Sequence, residues 1–174
     1  MTVIHSADFA REKQSLAGEV DVSALSRLHD QLADREGRLA WRLAGGVDRL
    51  ARPVLHLAVS GELHLVCQRC LKAMTWPVAV QTELTQFLDE ATLDEAEAQD
   101  EDLEGILVDA ALDVEALVEE EVLLAVPFAP RHDACGGTTA TATMADEPNP
   151  SAGKADKPNP FAVLATLKTR KAED

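Results

Sequence analysis

The chain has no tyrosine, and aromatic residues make up only 3% of its 174 residues. A core must therefore come from Leu, Val and Ala, and the rings that stack on single-stranded bases are nearly missing, with only Trp41 and Trp76 near the basic residues. No apolar run reaches the roughly 18 residues of a spanning helix. The start, MTVIHSADFA, lacks the apolar stretch of a secretory signal. Three cysteines, an odd number, argue against a disulfide framework and for reduced thiols or a metal. A cytoplasmic protein without a membrane role is expected. There is also no Gly-rich phosphate loop, nucleophile elbow or H-E-x-x-H, and the five histidines are scattered. No catalytic constellation emerges, so the reading is a protein that is not an enzyme.

Bases are missing from one block. Residues 73–130 hold sixteen acids and no Lys or Arg, a net of -16, so all the excess negative charge of a chain at -15 lies there. Such a block repels phosphate and attracts basic proteins, within the roughly 8 Å that physiological salt allows. Residues 1–72, with nine acids and ten bases, could still touch RNA locally.

What is present suits an α+β fold: an antiparallel β-sheet with packed helices, then a disordered linker and a short terminal helix. Leu25, Leu28 and Leu32 predict a helix over 21–34, capped by Asp21 or Ser23. The period then changes to two, with Leu39, Trp41 and Leu43 alternating with Arg38 and Arg42. Gly45-Gly46 suggests a turn. From Val54 to Val66, Leu55, Leu57, Val59, Leu63 and Leu65 face one way, while His56, Ser60, Glu62 and His64 face the other. A turn over Cys67–Lys72 leads to a strand near 75–87, with Val78, Val80 and Leu84 on one face. Residues 89–104 look too acidic to pack and read as a flexible loop. A short strand is expected at 106–108. Asp113 should cap a helix to about Ala125, with Leu117, Val118, Leu124 and Ala125 buried, stopped by Pro127 and Pro130. The domains are then 1–135, a linker at 136–159 rich in Gly, Thr, Ala, Ser and Pro, and a docking segment at 160–174.

The sharpest chemical signal is Cys67-Gln-Arg-Cys70 at a strand–strand turn, half of a zinc knuckle. His132-Asp-Ala-Cys135, just past the proline-stopped helix, supplies a second half, and the two give a Cys3His set for Zn2+. Free surface thiols and a dithiol redox pair are the competing readings. The second signal is basic: Arg38 and Arg42 share a strand face, and Arg69 and Lys72 flank the knuckle, so that together they could grip RNA phosphates. The third is terminal. Asn159 can cap a helix that starts at Pro160, on which Phe161, Leu164 and Leu167 share a face and Lys168 suits the far end. A tether ending in a short amphipathic helix is an anchor for its own domain or a partner.

Three stretches in order, LHLVCQRCLKAM at 63–74, DVEALVEEEVLLAVPFAPRHDAC at 113–135 and KPNPFAVLATLK at 157–168, resemble the YceD family, also called DUF177. With weaker similarity elsewhere, the resemblance spans nearly the whole chain. Cys67, Arg69 and Cys70 match its knuckle. Glu119, Glu121, Leu123, Leu124 and Pro127 match its acidic helix end, and His132 and Cys135 the region beyond. Asn159, Pro160, Phe161, Leu164, Leu167 and Lys168 match its terminal box. The resemblance implies a non-enzymatic ribosome-biogenesis factor, needed for synthesis, processing or stability of 23S ribosomal RNA and acting on that RNA or a large-subunit precursor particle. An acidic chaperone or adaptor for a basic ribosomal protein or RNA-processing enzyme is the alternative reading. A cysteine-based redox or metal enzyme is the third.

Overall fold

A computed structural model describes residues 2–135. The expected linker and terminal helix, with Asn159, Pro160, Phe161, Leu164, Leu167 and Lys168, lie outside the described residues. The chain runs β1 (Val3–Ile4), α1 (Ser6–Arg11), β2 (Ser15–Asp21), β3 (Arg38–Val47), β4 (Pro53–Val66), β5 (Ala73–Phe87), α2 (Glu90–Gln99), β6 (Glu104–Leu107), β7 (Leu112–Asp113) and α3 (Val114–Ala125). Five strands form one sheet in the order β2-β3-β4-β5-β6, and β1 pairs with β7 in a separate two-stranded ladder. The meander β2 to β5 is antiparallel, whereas β6 pairs in parallel with the end of β5. The architecture is α+β, with a mixed rather than wholly antiparallel sheet.

The period-two pattern holds through the meander. Leu39, Trp41 and Leu43 of β3, Leu55, Leu57, Val59, Leu63 and Leu65 of β4, and Val78, Val80 and Leu84 of β5 are buried on one face. That face is covered by α1, α3 and the segment after β2. Gly61 interrupts the inward row of β4 with φ +153, where a Cβ would lie 2.7 Å from Leu39 Cδ2.

Four expectations are corrected. The helix over 21–34 is instead the end of β2 followed by two single-turn 3-10 helices, Val22–Ala24 and Ser26–Leu28. Leu25, Leu28 and Leu32 are buried as expected. The backbone is occupied differently, because Arg27 N–H donates to the Glu119 carboxylate at 2.7 Å instead of to a preceding turn. Gly45-Gly46 is not a turn. β3 runs straight through it, and Gly45 is the landing point of α1, where a Cβ would collide with the Phe9 carbonyl and lie 2.6 Å from Ala10 Cα. The turn comes later, at Asp48–Arg52, where Asp48 accepts from the Leu50 and Arg52 N–H groups.

The acidic stretch 89–104 is not a loop for most of its length. Asp89 caps α2 by accepting from Thr92 N–H at 2.9 Å, and no α2 residue is buried. Ala, Leu and Glu are good helix formers, and Leu93 adds packing against Gly105 of β6, so an acidic segment with one cap forms a helix. In α3 the buried residues are Val114, Leu117, Val118, Glu119 and Val122, while Leu124 is 75% exposed. Asp113 does cap it, accepting from Glu115 N–H at 3.0 Å. Val126 leaves the helix in extended conformation just before Pro127, as the residue ahead of a proline prefers. β2 was not anticipated. Its inward row is Leu16, Gly18, Val20, and Gly18 is needed because a Cβ there would meet the Trp41 indole at 2.7 Å.

Candidate metal centre

The long β4–β5 hairpin ends in the six-residue turn Cys67–Lys72. Cys67 N–H donates to the Lys72 carbonyl at 3.0 Å and Leu71 N–H to the Cys67 carbonyl at 2.8 Å, which curls the turn so that both cysteines face inward. The closure needs Leu71 at φ +58, a left-handed conformation that Gly would adopt without strain. The chain beyond α3 then returns to this turn. Gln68 N–H donates to the Pro130 carbonyl at 2.8 Å, which lays residues 130–135 against the hairpin tip.

The result is a cluster of Cys67, Cys70, His132 and Cys135, whose ligand atoms all lie within 4.8 Å of one another. Cys67 and Cys135 Sγ are 3.7 Å apart, Cys70 Sγ is 3.5 Å from His132 Nδ1, and Cys135 Sγ is 3.8 Å from the same nitrogen. The group is close enough to hold a metal. The other imidazole nitrogen, His132 Nε2, donates to the Ala73 carbonyl at 3.1 Å. That bond leaves Nδ1 as the lone-pair atom facing the sulfurs, the usual arrangement of a ligating histidine. Arg69, between the two cysteines of the turn, donates from Nε to Cys135 Sγ at 3.0 Å and from Nη2 to the His132 carbonyl at 3.3 Å.

The electrostatics suit cation binding. Burial pushes the Cys67 thiol up, but the N–H groups of Cys70, His132 and Arg69 together with the His132 side chain outweigh it and bring it down to about 5. Cys135 is lowered chiefly by Arg69, with help from His132. For Cys70 the Lys72 N–H pulls down, but burial and the neighbouring Cys67 and Cys135 sulfurs carry the thiol up. His132 is raised, first by Cys135 and then by Cys67. Thiolates and a neutral imidazole are the forms that bind a divalent cation, and such binding would displace the protons those groups carry.

Of the four basic residues expected to grip RNA, Arg38 and Arg42 share the outward face of β3, while Arg69 and Lys72 sit in the hairpin turn. Arg38 is tied to Asp21 at 2.8 Å and to Glu19 at 3.5 Å. Arg42 pairs across β3–β4 with Ala58 and lies by a shallow depression with His56, Gln81 and Glu83. That is eight residues along β4 from the hairpin tip, about 26 Å at strand rise. Lys72 is exposed at the tip, and Arg69 is bound into the cysteine cluster. Sequence reasoning missed this use of Arg69. The available signal was its position inside the C-x-x-C turn, where a side chain can fold back on the sulfurs. His56 and His64 lie on the polar strand face, with Nδ1 3.3 Å from Glu83 and 2.8 Å from Asp34 respectively.

Among the described residues no helix is long and apolar enough to cross a membrane. No solved structure matches the chain. A family model described as Large ribosomal RNA subunit accumulation protein YceD matches residues 55–168, which include the hairpin turn, α3 and the His132–Cys135 return. With well over half its length matched, the chain belongs to the YceD family.

Proposed function

We propose that this protein supports accumulation of 23S ribosomal RNA as a non-catalytic binding factor, its fold closed by a structural zinc ion on Cys67, Cys70, His132 and Cys135. One observation carries the reading. Tetrahedral zinc with sulfur at about 2.3 Å and nitrogen at about 2.0 Å requires sulfurs about 3.8 Å apart and sulfur to nitrogen about 3.5 Å apart. Three of the six edges of the cluster are 3.7, 3.5 and 3.8 Å, and all six lie within 4.8 Å. Four protein ligands fill such a site, which leaves no open position for a substrate and favours a structural over a catalytic role. This weighs against the redox or metal enzyme reading. The zinc would join the β4–β5 tip to the segment after α3, fixing where the chain toward the terminal box leaves the domain. Metal analysis of freshly purified protein should find about one zinc per chain. Chelation should lower the melting temperature, and Cys67→Ser should lose both the metal and the chelator effect. Metal-free protein under reducing conditions would remove the zinc reading.

For the mode of action, the α2 region favours the adaptor version. It presents Glu90, Asp94, Glu95 and Glu97 on a helix with no buried residue, and among the described residues no Lys or Arg forms an ion pair with them. A basic ribosomal protein or RNA-processing enzyme is the partner such a surface attracts. Asn159, Pro160, Phe161, Leu164, Leu167 and Lys168 would add a second contact. Direct RNA contact would fall to Arg42 and Lys72, since Arg38 and Arg69 are engaged. Affinity capture with and without ribonuclease separates the two: association with large-subunit precursors that survives ribonuclease as a basic protein partner supports the adaptor. A salt-steep affinity for bare RNA, lost on Arg42→Ala with Lys72→Ala, supports direct contact.

A further inference from the structure

We propose that Arg69 is the charge-matching outer member of this centre, the residue that keeps Cys135 bound to the metal and shields its sulfur from electrophiles. The inference rests on the zinc reading above. Zn2+ with three thiolates and a neutral imidazole carries a net charge of about -1, which a half-buried site must compensate. Arg69 is the cation within hydrogen-bond reach of a ligand, and its guanidinium addresses the return arm at two points, Cys135 Sγ at 3.0 Å and the His132 carbonyl at 3.3 Å.

The sulfurs differ in their setting. Cys67 is buried, whereas Cys70 and Cys135 are half-buried. Cys67 and Cys70 belong to one turn, closed by Cys67 N–H on the Lys72 carbonyl and Leu71 N–H on the Cys67 carbonyl. Cys135 arrives from 65 residues away. The charged donor at its sulfur is the Arg69 guanidinium, 3.0 Å away. A hydrogen bond from a cation stabilises the deprotonated sulfur against protonation, which keeps it available to the metal, and lowers its nucleophilicity. The fork geometry matters as well. Lys would keep the charge but could not donate to sulfur and carbonyl from one rigid plane.

The test uses the full-length, zinc-loaded protein and its Arg69→Ala, Arg69→Gln and Arg69→Lys variants. Zinc affinity is read by competition with a chromophoric chelator. Alkylation of each cysteine by iodoacetamide is followed by peptide mass, and the sulfur-to-metal charge-transfer band is recorded after cobalt substitution. The Ala and Gln variants should bind zinc about tenfold or more weakly. They should alkylate faster at Cys135 while Cys67 and Cys70 keep their rates, and should shift the cobalt band. Lys should recover part of the affinity and less of the protection. A merely structural contribution would change all three cysteines together. Wild-type zinc affinity and wild-type Cys135 reactivity in Arg69→Ala would overturn the role of Arg69 alone. Absence of zinc from the reduced wild-type protein would overturn the centre and this role with it.

Discussion

Glu121 shows how one residue's surroundings set a pH response. Its carboxylate is half-buried on α3, where it accepts from the Thr82 hydroxyl at 2.9 Å. Burial raises its pKa, the Thr82 bond opposes, and Glu104 and Glu120 add to the rise. The folded protein therefore holds this proton to higher pH than the unfolded chain does. Linkage then makes stability fall as pH rises from the ordinary carboxylate range through the folded value, and the loss is complete above it. Glu121→Gln keeps an acceptor for Thr82 and removes the charge. It should raise the melting temperature at neutral pH, with an advantage that shrinks toward pH 4. Thermal melts of both proteins across that range provide the check, and an advantage that grows in acid would contradict the assignment.

Among the elements, α1 lies with its backbone directly on β3 at Gly45. Four of its six residues, Ser6, Ala7, Phe9 and Ala10, are buried. The first turn is tied down at Ser6, whose N–H donates to the Asp109 carbonyl at 2.9 Å and whose hydroxyl accepts from Asp109 N–H at 2.9 Å. So short a helix has no independent stability, and its position comes from these contacts and from Gly45 beneath it. Gly45→Ala should push α1 off the sheet and destabilise by about 1–3 kcal/mol, the usual range for overpacking. Gly46→Ala is the comparison: its nearest contact is a His56 ring end at 3.2 Å, which can move. Urea unfolding should rank Gly45→Ala well below Gly46→Ala, and equal midpoints would refute the close-approach account.

For the whole molecule, stability and association should separate along the chain. The described core is closed by the sheet, α1, α3 and the hairpin–return cluster, all within residues 2–135. The terminal box follows these residues in sequence. Under the proposed docking role, deleting residues 158–174 should leave the melting temperature unchanged and remove the proposed association with a large-subunit precursor. Ending the chain at residue 130 instead takes away His132 and Cys135, and should lower the melting temperature as chelation does. A melting temperature that falls with the shorter deletion would place the docking site of Phe161, Leu164 and Leu167 on the chain's own domain.

The periodicity of side chains by itself determined much of this protein. Alternation sets which residues of β3, β4 and β5 turn inward, because strand geometry offers only two faces. Asp113 and Pro127 bound α3, because capping and proline sterics act within a few residues. The C-x-x-C and H-x-x-C spacings named the four donors, since each half-site is local. Only the tertiary structure decided what depends on distant neighbours. Leu25, Leu28 and Leu32 meet the core equally well from 3-10 turns, and the Glu119 carboxylate on Arg27 N–H selects those turns over a helix. Gly45 reads as a turn until α1 is seen lying on it. Arg38 and Arg69 read as free cations until Asp21 and Cys135, 17 and 66 residues away, are seen beside them. Hydrogen bonds and charges act over a few ångströms of space whatever their separation along the chain, and a linear pattern carries no record of which ones the fold will bring together.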